Sequence, residues 1–332
     1  MKVIIPVAGF GTRLRPHTLT NPKVLLNVGG KPMIYYIIDQ LIKDKIATSI
    51  ILITGFLGDK IKNYLDNTFD FKFDYIVQDE PKGLGHAVYC AKPVFKNKNE
   101  DTLIILGDTL FDVQLKKMTG GKDSVIGVKK VEDPRRFGVV EKDSSGYITR
   151  FVEKPSSKEV SPSNEAIVGL YYLKNSISLF KSLEYIMENN ITVKNEFQLT
   201  DALENMINNN EKMKTFNVQG WLDCGKPETL LETNRYILNK RNKKINKEFP
   251  NSKIIYPVHI GKNVEITDSI IGPFTTVNDN CKISNSIIKD SILEKDVSIE
   301  NCIIQESIIG EGAIIKREIH KISMGNNSEF KS

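Results

Sequence analysis

The chain has 332 residues, with 46 Lys and Arg against 41 Asp and Glu. That length supports a sizeable core and two domains, and the small, scattered positive excess leaves no footprint for nucleic acid. No apolar run approaches the ~18 residues that span a bilayer. Arg13 interrupts the short apolar start, so no secretory signal is expected. The spacings of Cys90, Cys224, Cys281 and Cys302 match no zinc pattern or dense disulfide frame, which predicts reduced thiols and a cytoplasmic protein.

Val3 to Val7 predicts a buried strand that opens into the loop Ala8-Gly9-Phe10-Gly11-Thr12-Arg13, with Arg15 close behind. Glycines let backbone N–H groups approach a polyanion, and arginine adds a fork of donors for phosphate oxygens. Two common phosphate-binding loops are excluded. A dinucleotide fingerprint needs a small residue where Leu14 stands and an acid after the second strand, which instead ends in Thr54-Gly55. A Walker A loop needs Gly-Lys-Ser/Thr, and none is present.

Beyond the loop, residues 32–45 predict a helix opening at Pro32. Ile50–Ile53 reads as a strand, Lys60–Tyr64 as part of a short helix, Phe73–Val77 as a strand, His86–Phe95 as a helix and Thr102–Leu106 as a buried strand. This alternation predicts an α/β domain built on a doubly wound, mostly parallel sheet. Ligands of such sheets bind beyond the carboxyl ends of the strands, so the loops at 8–13, 78–86 and 107–109 should face one crevice. Residues 124–173 are strand-rich and suggest an added sheet region for a second substrate. Helices are expected at 176–188, 196–208 and 227–239, and polar sequence with Pro250 then reads as a linker.

The period changes after the linker. Ile260, Ile266, Ile271, Val277, Ile283 and Ile288 recur about every six residues, and the series runs on through Leu293, Ile299, Ile304, Ile309 and Ile315. A hexapeptide period places one aliphatic side chain per face inside a triangular prism. A short left-handed parallel β-helix of about three coils is expected. The predicted division is a catalytic domain at 1–240, a linker at 241–253, the β-helix at 254–320 and a tail at 321–332.

The string A-G-x-G-T-R-L-x-P, followed by Pro22-Lys23 and Gly30-Lys31-Pro32-Met33, resembles the signature of sugar-1-phosphate nucleotidylyltransferases. Further matches follow in order: Gln78 to Val88, Leu106-Gly107-Asp108, Glu153-Lys154-Pro155, Ala166 to Tyr171, and Trp221-Leu222-Asp223-Cys224-Gly225. Together they span residues 3–236. The resemblance implies a single displacement in which a hexose 1-phosphate, such as glucose 1-phosphate, attacks the α-phosphorus of dTTP or UTP and pyrophosphate leaves. It implies that Ala8, Gly9, Gly11, Thr12, Arg13, Gln78 and Gly83 line the nucleotide site, with Arg13 on the triphosphate and Lys23 on the α-phosphate. Asp108 and Asp223 would hold Mg²⁺, since joining two anions needs cations and carboxylates to seat them. Gly138, Glu153, Lys154, Val168 and Gly169 would form the sugar-phosphate side. Gln78 offers an amide donor and acceptor to a pyrimidine edge. His86 and the segment Glu196–Asp201 are expected to be structural.

Two other readings accompany this one. A β-helix can carry acyltransferase activity, which needs a histidine base, and only His259 and His320 lie near the coils. A non-catalytic regulatory subunit could share the fold, but it would be expected to lack the phosphate and metal groups found here. The β-helix is expected to support self-association or allosteric contact, with no nucleic acid or membrane as a partner.

Overall fold

The structure is a computed structural model that describes residues 1–241 and 248–317. The expected tail, His320 and part of the expected linker lie outside the described residues. In chain order the elements are β1 (Lys2–Pro6), β2 (Asn27–Val28), β3 (Lys31–Pro32), α1 (Met33–Asp44), β4 (Ser49–Thr54), α2 (Gly58–Thr68), β5 (Phe73–Val77), α3 (Leu84–Tyr89), α4 (Lys92–Phe95), β6 (Thr102–Ile105), β7 (Thr109–Asp112) and α5 (Leu115–Thr119). They continue with β8 (Ser124–Lys130), β9 (Gly138–Lys142), β10 (Ile148–Glu153), β11 (Glu165–Leu173), α6 (Ser176–Glu188), α7 (Leu199–Asn208), β12 (Met213–Asn217), β13 (Gly220–Asp223) and α8 (Pro227–Arg241). Twelve short strands follow, from Lys253 to Lys316. Backbone contacts divide the chain into two compact units. The first is Met1–Leu26 with Lys31–Thr229, and the second is Asn27–Gly30 with the chain from Leu230 onward.

A nine-stranded sheet organises the first unit, in the order β10-β9-β11-β6-β1-β4-β5, with β8 beside β11 and β12 beside β8. The strands β6, β1, β4 and β5 run parallel. In the central strands β1 and β4 the side chains are apolar on both faces, as a strand covered by helices on both sides requires. Val3, Ile4 and Ile5 of β1 and Ile50 to Ile53 of β4 are fully buried. From β1 the chain steps outward to β4 and β5, then crosses back to β6 on the other side of β1. That reversal makes a switch point beside β1, where loops diverge and leave a crevice. The strand-rich stretch joins the same sheet: β11 pairs antiparallel with β6, β8 and β9.

Two helix boundaries differ from expectation. The helix expected over 86–95 is two, α3 and α4, because Pro93 lacks the N–H a continuous helix needs and sits in the first turn of the second. The helix expected from 196 begins at Leu199. Glu196 and Val193 instead exchange backbone bonds of 2.9 and 3.1 Å, and Phe197 N donates to Lys82 O at 2.9 Å.

In the second unit three parallel four-stranded sheets stack along the repeat. The interior is the expected aliphatic series, with Ile266, Ile271, Val277, Ile283, Ile288, Leu293 and Ile299 in one buried cluster. Four strands on each face replace the expected three coils. Ile270 pairs with Ile287 and Ile287 with Ile303, so a coil takes 17 or 16 residues rather than the 18 of three hexapeptides. The saving comes at corners where the aliphatic spacing drops to five, as between Ile283 and Ile288. Corner residues with positive φ include Asn263, Asp268, Asn280, Asn285, Asp290, Asp296 and Asn301, types that tolerate the left-handed region.

Candidate active site

The carboxyl ends of β1, β5 and β6 open into a cleft of about 510 Å³. Ala8, Gly9, Gly11, Thr12, Lys23, Gln78, Gly83 and Asp108 all line it. The amino-terminal loop is tied down by Thr18, whose hydroxyl donates to Gly11 O at 2.8 Å. Lys23 stands on a single 3₁₀ turn (Lys23–Leu25) and is buried. Its ammonium meets the half-buried Asp108 carboxylate at 2.6 Å. Burial pushes the Asp108 carboxyl up, but the Lys23 charge, the Lys23 hydrogen bond and the Thr109 hydroxyl more than offset it. The group is held below the usual carboxylate range and stays ionised at neutral pH.

Asp108 and Asp223 come together although half the domain separates them in sequence. Immediately after Asp108, β7 pairs antiparallel with β13, setting Thr109 opposite Asp223, and Cys224 N donates to Asp108 O at 3.2 Å. Arg13 reaches the same place. The Cβ position at Gly225 lies 2.9 Å from Asp223 Oδ1 and 3.0 Å from Arg13 Nη2.

Residues 78–86 form a clipped loop. At Gly83 φ is +98°, and an added Cβ would stand 2.7 Å from Phe197 O, so only glycine fits. Gln78 is buried beneath this loop. Its amide nitrogen donates to Gly83 O (3.2 Å) and pairs with His86 Nδ1 (3.0 Å). Burial and then the Lys82 charge push the His86 pKa down, which keeps the ring neutral and able to accept that bond.

The second cluster sits on the antiparallel part of the sheet. The Cβ position at Gly138 lies 3.0 Å from Glu153 Oε2, which also accepts from Thr200 Oγ1 at 3.0 Å. Lys154 is exposed and pairs with Glu153 at 2.7 Å. Phe137 packs edge-on against Trp221 at 4.9 Å between centroids, which ties this cluster to the strand carrying Asp223. Val168 is buried. Gly169 reaches the cleft through Leu106, whose N–H donates to Gly169 O at 3.0 Å.

Sequence reasoning expected Glu196 to be structural and gave no site role to Leu106, Pro81 or Phe10, yet all four line the cleft. Glu196 arrives through the backbone clip between Phe197 and Lys82, a contact with no local sequence signature.

Residues 2–240 match the family described as nucleotidyl transferase. The chain belongs to that family. It is 29% identical over its whole length, and the whole of the relative, to the low-salt glycan biosynthesis nucleotidyltransferase Agl11 of Haloferax volcanii. It is 30% identical to a glucose-1-phosphate thymidylyltransferase of Streptomyces antibioticus, covering 96% of this chain and 95% of that one. A crystal structure of UDP-glucose pyrophosphorylase complexed with UDP-glucose superposes with a TM-score of 0.60 at 28% identity, covering 72% of this chain and 99% of the other.

Nucleotidyl transferases of this family use a divalent metal ion. Among the described residues of this nucleotidyl transferase, no group of three or more His, Cys, Asp and Glu forms a protein-only metal cage. Asp108 and Asp223, whose backbones the β7–β13 ladder brings side by side, fit a hard cation that completes its shell with water and substrate phosphate. No described helix is long and apolar enough to cross a membrane.

Proposed function

We propose that this nucleotidyl transferase joins a pyrimidine nucleoside triphosphate, dTTP or UTP, to a hexose 1-phosphate of the glucose 1-phosphate type, releasing pyrophosphate. The observation that carries this reading is the meeting of Lys23, Asp108, Asp223 and Arg13 at the carboxyl end of the parallel strands, joined through Phe137 and Trp221 to the Glu153–Lys154 pair. Cations and carboxylates at one edge suit a triphosphate. An acid beside an ammonium suits a sugar that carries a phosphate. The relatives' names point to the same two substrates.

Lys23 and Arg13 neutralise the charge on the triphosphate as the bond to pyrophosphate lengthens. Lys154 holds the attacking phosphate in line, and Glu153 accepts from the sugar hydroxyls. No nucleophilic side chain or general base is needed, because the attacking phosphate is already anionic. Asp108 and Asp223 would hold Mg²⁺, which supplies further charge neutralisation at the phosphate oxygens. Both N–H groups of the Gln78 amide are committed to Gly83 and His86, which leaves its Oε1 to accept from a base. Uracil and thymine offer an N3–H to such an acceptor, and cytosine does not. The chain is further read as a cytoplasmic homo-oligomer.

Pyrophosphate release measured over UTP, dTTP, CTP, ATP and GTP against a panel of sugar 1-phosphates tests the proposal. Turnover with UTP or dTTP and a hexose 1-phosphate is expected. Turnover confined to purine triphosphates, or to CTP, would refute it.

A further inference from the structure

Four residues from the amino-terminal part of the chain belong to the second compact unit. Asn27–Gly30 follow directly on Leu26, and the chain rejoins the first unit at Lys31. This excursion starts four positions after Lys23, and hydrogen bonds lead back to that lysine without a gap. Leu26 N donates to Lys23 O at 3.1 Å, Leu25 N to Pro22 O at 2.8 Å, and Met33 N to Leu26 O at 3.2 Å.

The second unit grips the turn with buried polar side chains. Glu294 accepts from Asn27 N at 3.2 Å and from Asn27 Nδ2 at 2.5 Å, and its Oε2 also receives Asn278 Nδ2 at 3.3 Å. Asn234 of α8 is fully buried. Its Oδ1 accepts from Gly29 N at 2.8 Å and from Thr276 Oγ1 at 2.7 Å, while its Nδ2 donates to Phe274 O at 2.9 Å. Arg241 donates to Gly29 O at 2.7 Å. The His259 ring packs against Gly30, where an added Cβ would stand 2.1 Å from Nε2. An exposed two-glycine turn needs none of this, because water satisfies its backbone. Taking a carboxylate and a carboxamide out of water is costly unless every partner is in place. The partners here hold the turn in one position.

We propose that Glu294 is a positioning residue for nucleotidyl transfer: by anchoring Asn27 it fixes the carboxyl side of the segment that carries Lys23. This rests on the role of Lys23 given above. Displacements of about 1 Å far from the chemistry can cost roughly 10²-fold in rate, so loss of one anchor among several is expected to cost about tenfold.

The test uses the full chain with dTTP or UTP and glucose 1-phosphate, and compares Glu294→Gln, Asn27→Ala, Lys23→Met and the double variant Lys23→Met/Glu294→Gln. Glu294→Gln sets an amide N–H₂ against Asn27. It is expected to lower kcat about tenfold with KM for the sugar phosphate within about twofold, and Asn27→Ala is expected to lower kcat at least threefold. In the Lys23→Met background Glu294→Gln should have no further effect, because coupled residues are non-additive. Circular dichroism melting confirms folding, and Asn27→Ala carries the test if Glu294→Gln does not fold. Folded variants with wild-type kcat would overturn the proposal, as would a full additional tenfold loss in the double variant. Wild-type kcat in Lys23→Met alone would overturn the role of Lys23, and the proposal with it.

Discussion

Replacing Lys23 by methionine keeps the length of the buried stem and removes one charge. Lys23 Nζ lies 2.6 Å from Asp108 Oδ2, with 9% of the lysine side chain exposed against 38% of the aspartate. At that separation and an effective dielectric constant of about 20, the gross attraction is of order 6 kcal/mol, much of it offset by desolvation of the lysine. Loss of one donor aimed at developing charge costs roughly 10²–10³ in kcat, which lies within that gross figure. The pH dependence supplies a second readout. Lys23 holds Asp108 below its ordinary range, so the stability from this pair is present above the unfolded aspartate value and is lost as pH falls through the lower folded value. In the variant the offsetting charge is gone and burial is left to raise the group. The acid limb of kcat/KM should therefore move to higher pH. Pyrophosphate release followed from pH 4.5 to 8 measures both effects. A kcat within twofold of wild type and an unmoved acid limb would refute the reasoning.

Asp223→Asn removes one of two carboxylates from the proposed metal-holding pair, and its activity curve against MgCl₂ should shift at least tenfold to the right, since even indirect supports of a metal site cost 10–100-fold; an unshifted curve would remove Asp223 from that role. Lys154→Ala should raise KM for the sugar phosphate roughly tenfold or more, the scale of a charged hydrogen bond, while KM for the triphosphate holds. The opposite pattern in initial rates would place Lys154 on the nucleotide. Gln78→Leu should raise KM for UTP or dTTP by about 3–10-fold, the scale of one hydrogen bond, and narrow the preference over CTP, as competition assays would show. Ile288→Ala opens a cavity at a fully buried rung and should cost about 2–5 kcal/mol, read as a lower melting transition; an unchanged melt would argue against a packed prism.

The two halves of the molecule were legible in the sequence to different depths. In the first, apolar runs such as Val3–Val7 and Phe73–Val77 marked the parallel strands, and glycines and charged residues after them marked the cleft. The β-helix was legible because one aliphatic side chain per face must point inward. Its coil count was not, since a corner can close in five residues as well as six, and only pairing such as Ile287 with Ile303 decides which. Long-range backbone bonds were equally out of reach. Glu196 reads as the opening of a helix until Phe197 N finds Lys82 O. Nothing in the sequence near Gly29-Gly30 points to the buried Asn234 and Glu294 that hold this segment from more than two hundred residues away.

The sequence offered the parts of the candidate site one by one, and where they meet follows from where the sheet changes direction. The parallel half delivers loops from β1, β5 and β6 to one edge, as any switch point does. Alone it would supply a phosphate cradle with a single carboxylate, Asp108. The chain then turns straight into β7 and recruits β13, which brings Asp223 and its neighbour Trp221 to that edge. Trp221 packs on Phe137, next to Gly138 and the Glu153–Lys154 pair. One two-stranded ladder therefore joins the end of the cleft proposed for the nucleotide to the Glu153–Lys154 cluster proposed for the sugar phosphate. A substitution within it, such as Trp221→Ala, is expected to impair the use of both substrates, whereas changes in either cluster alone should fall on one.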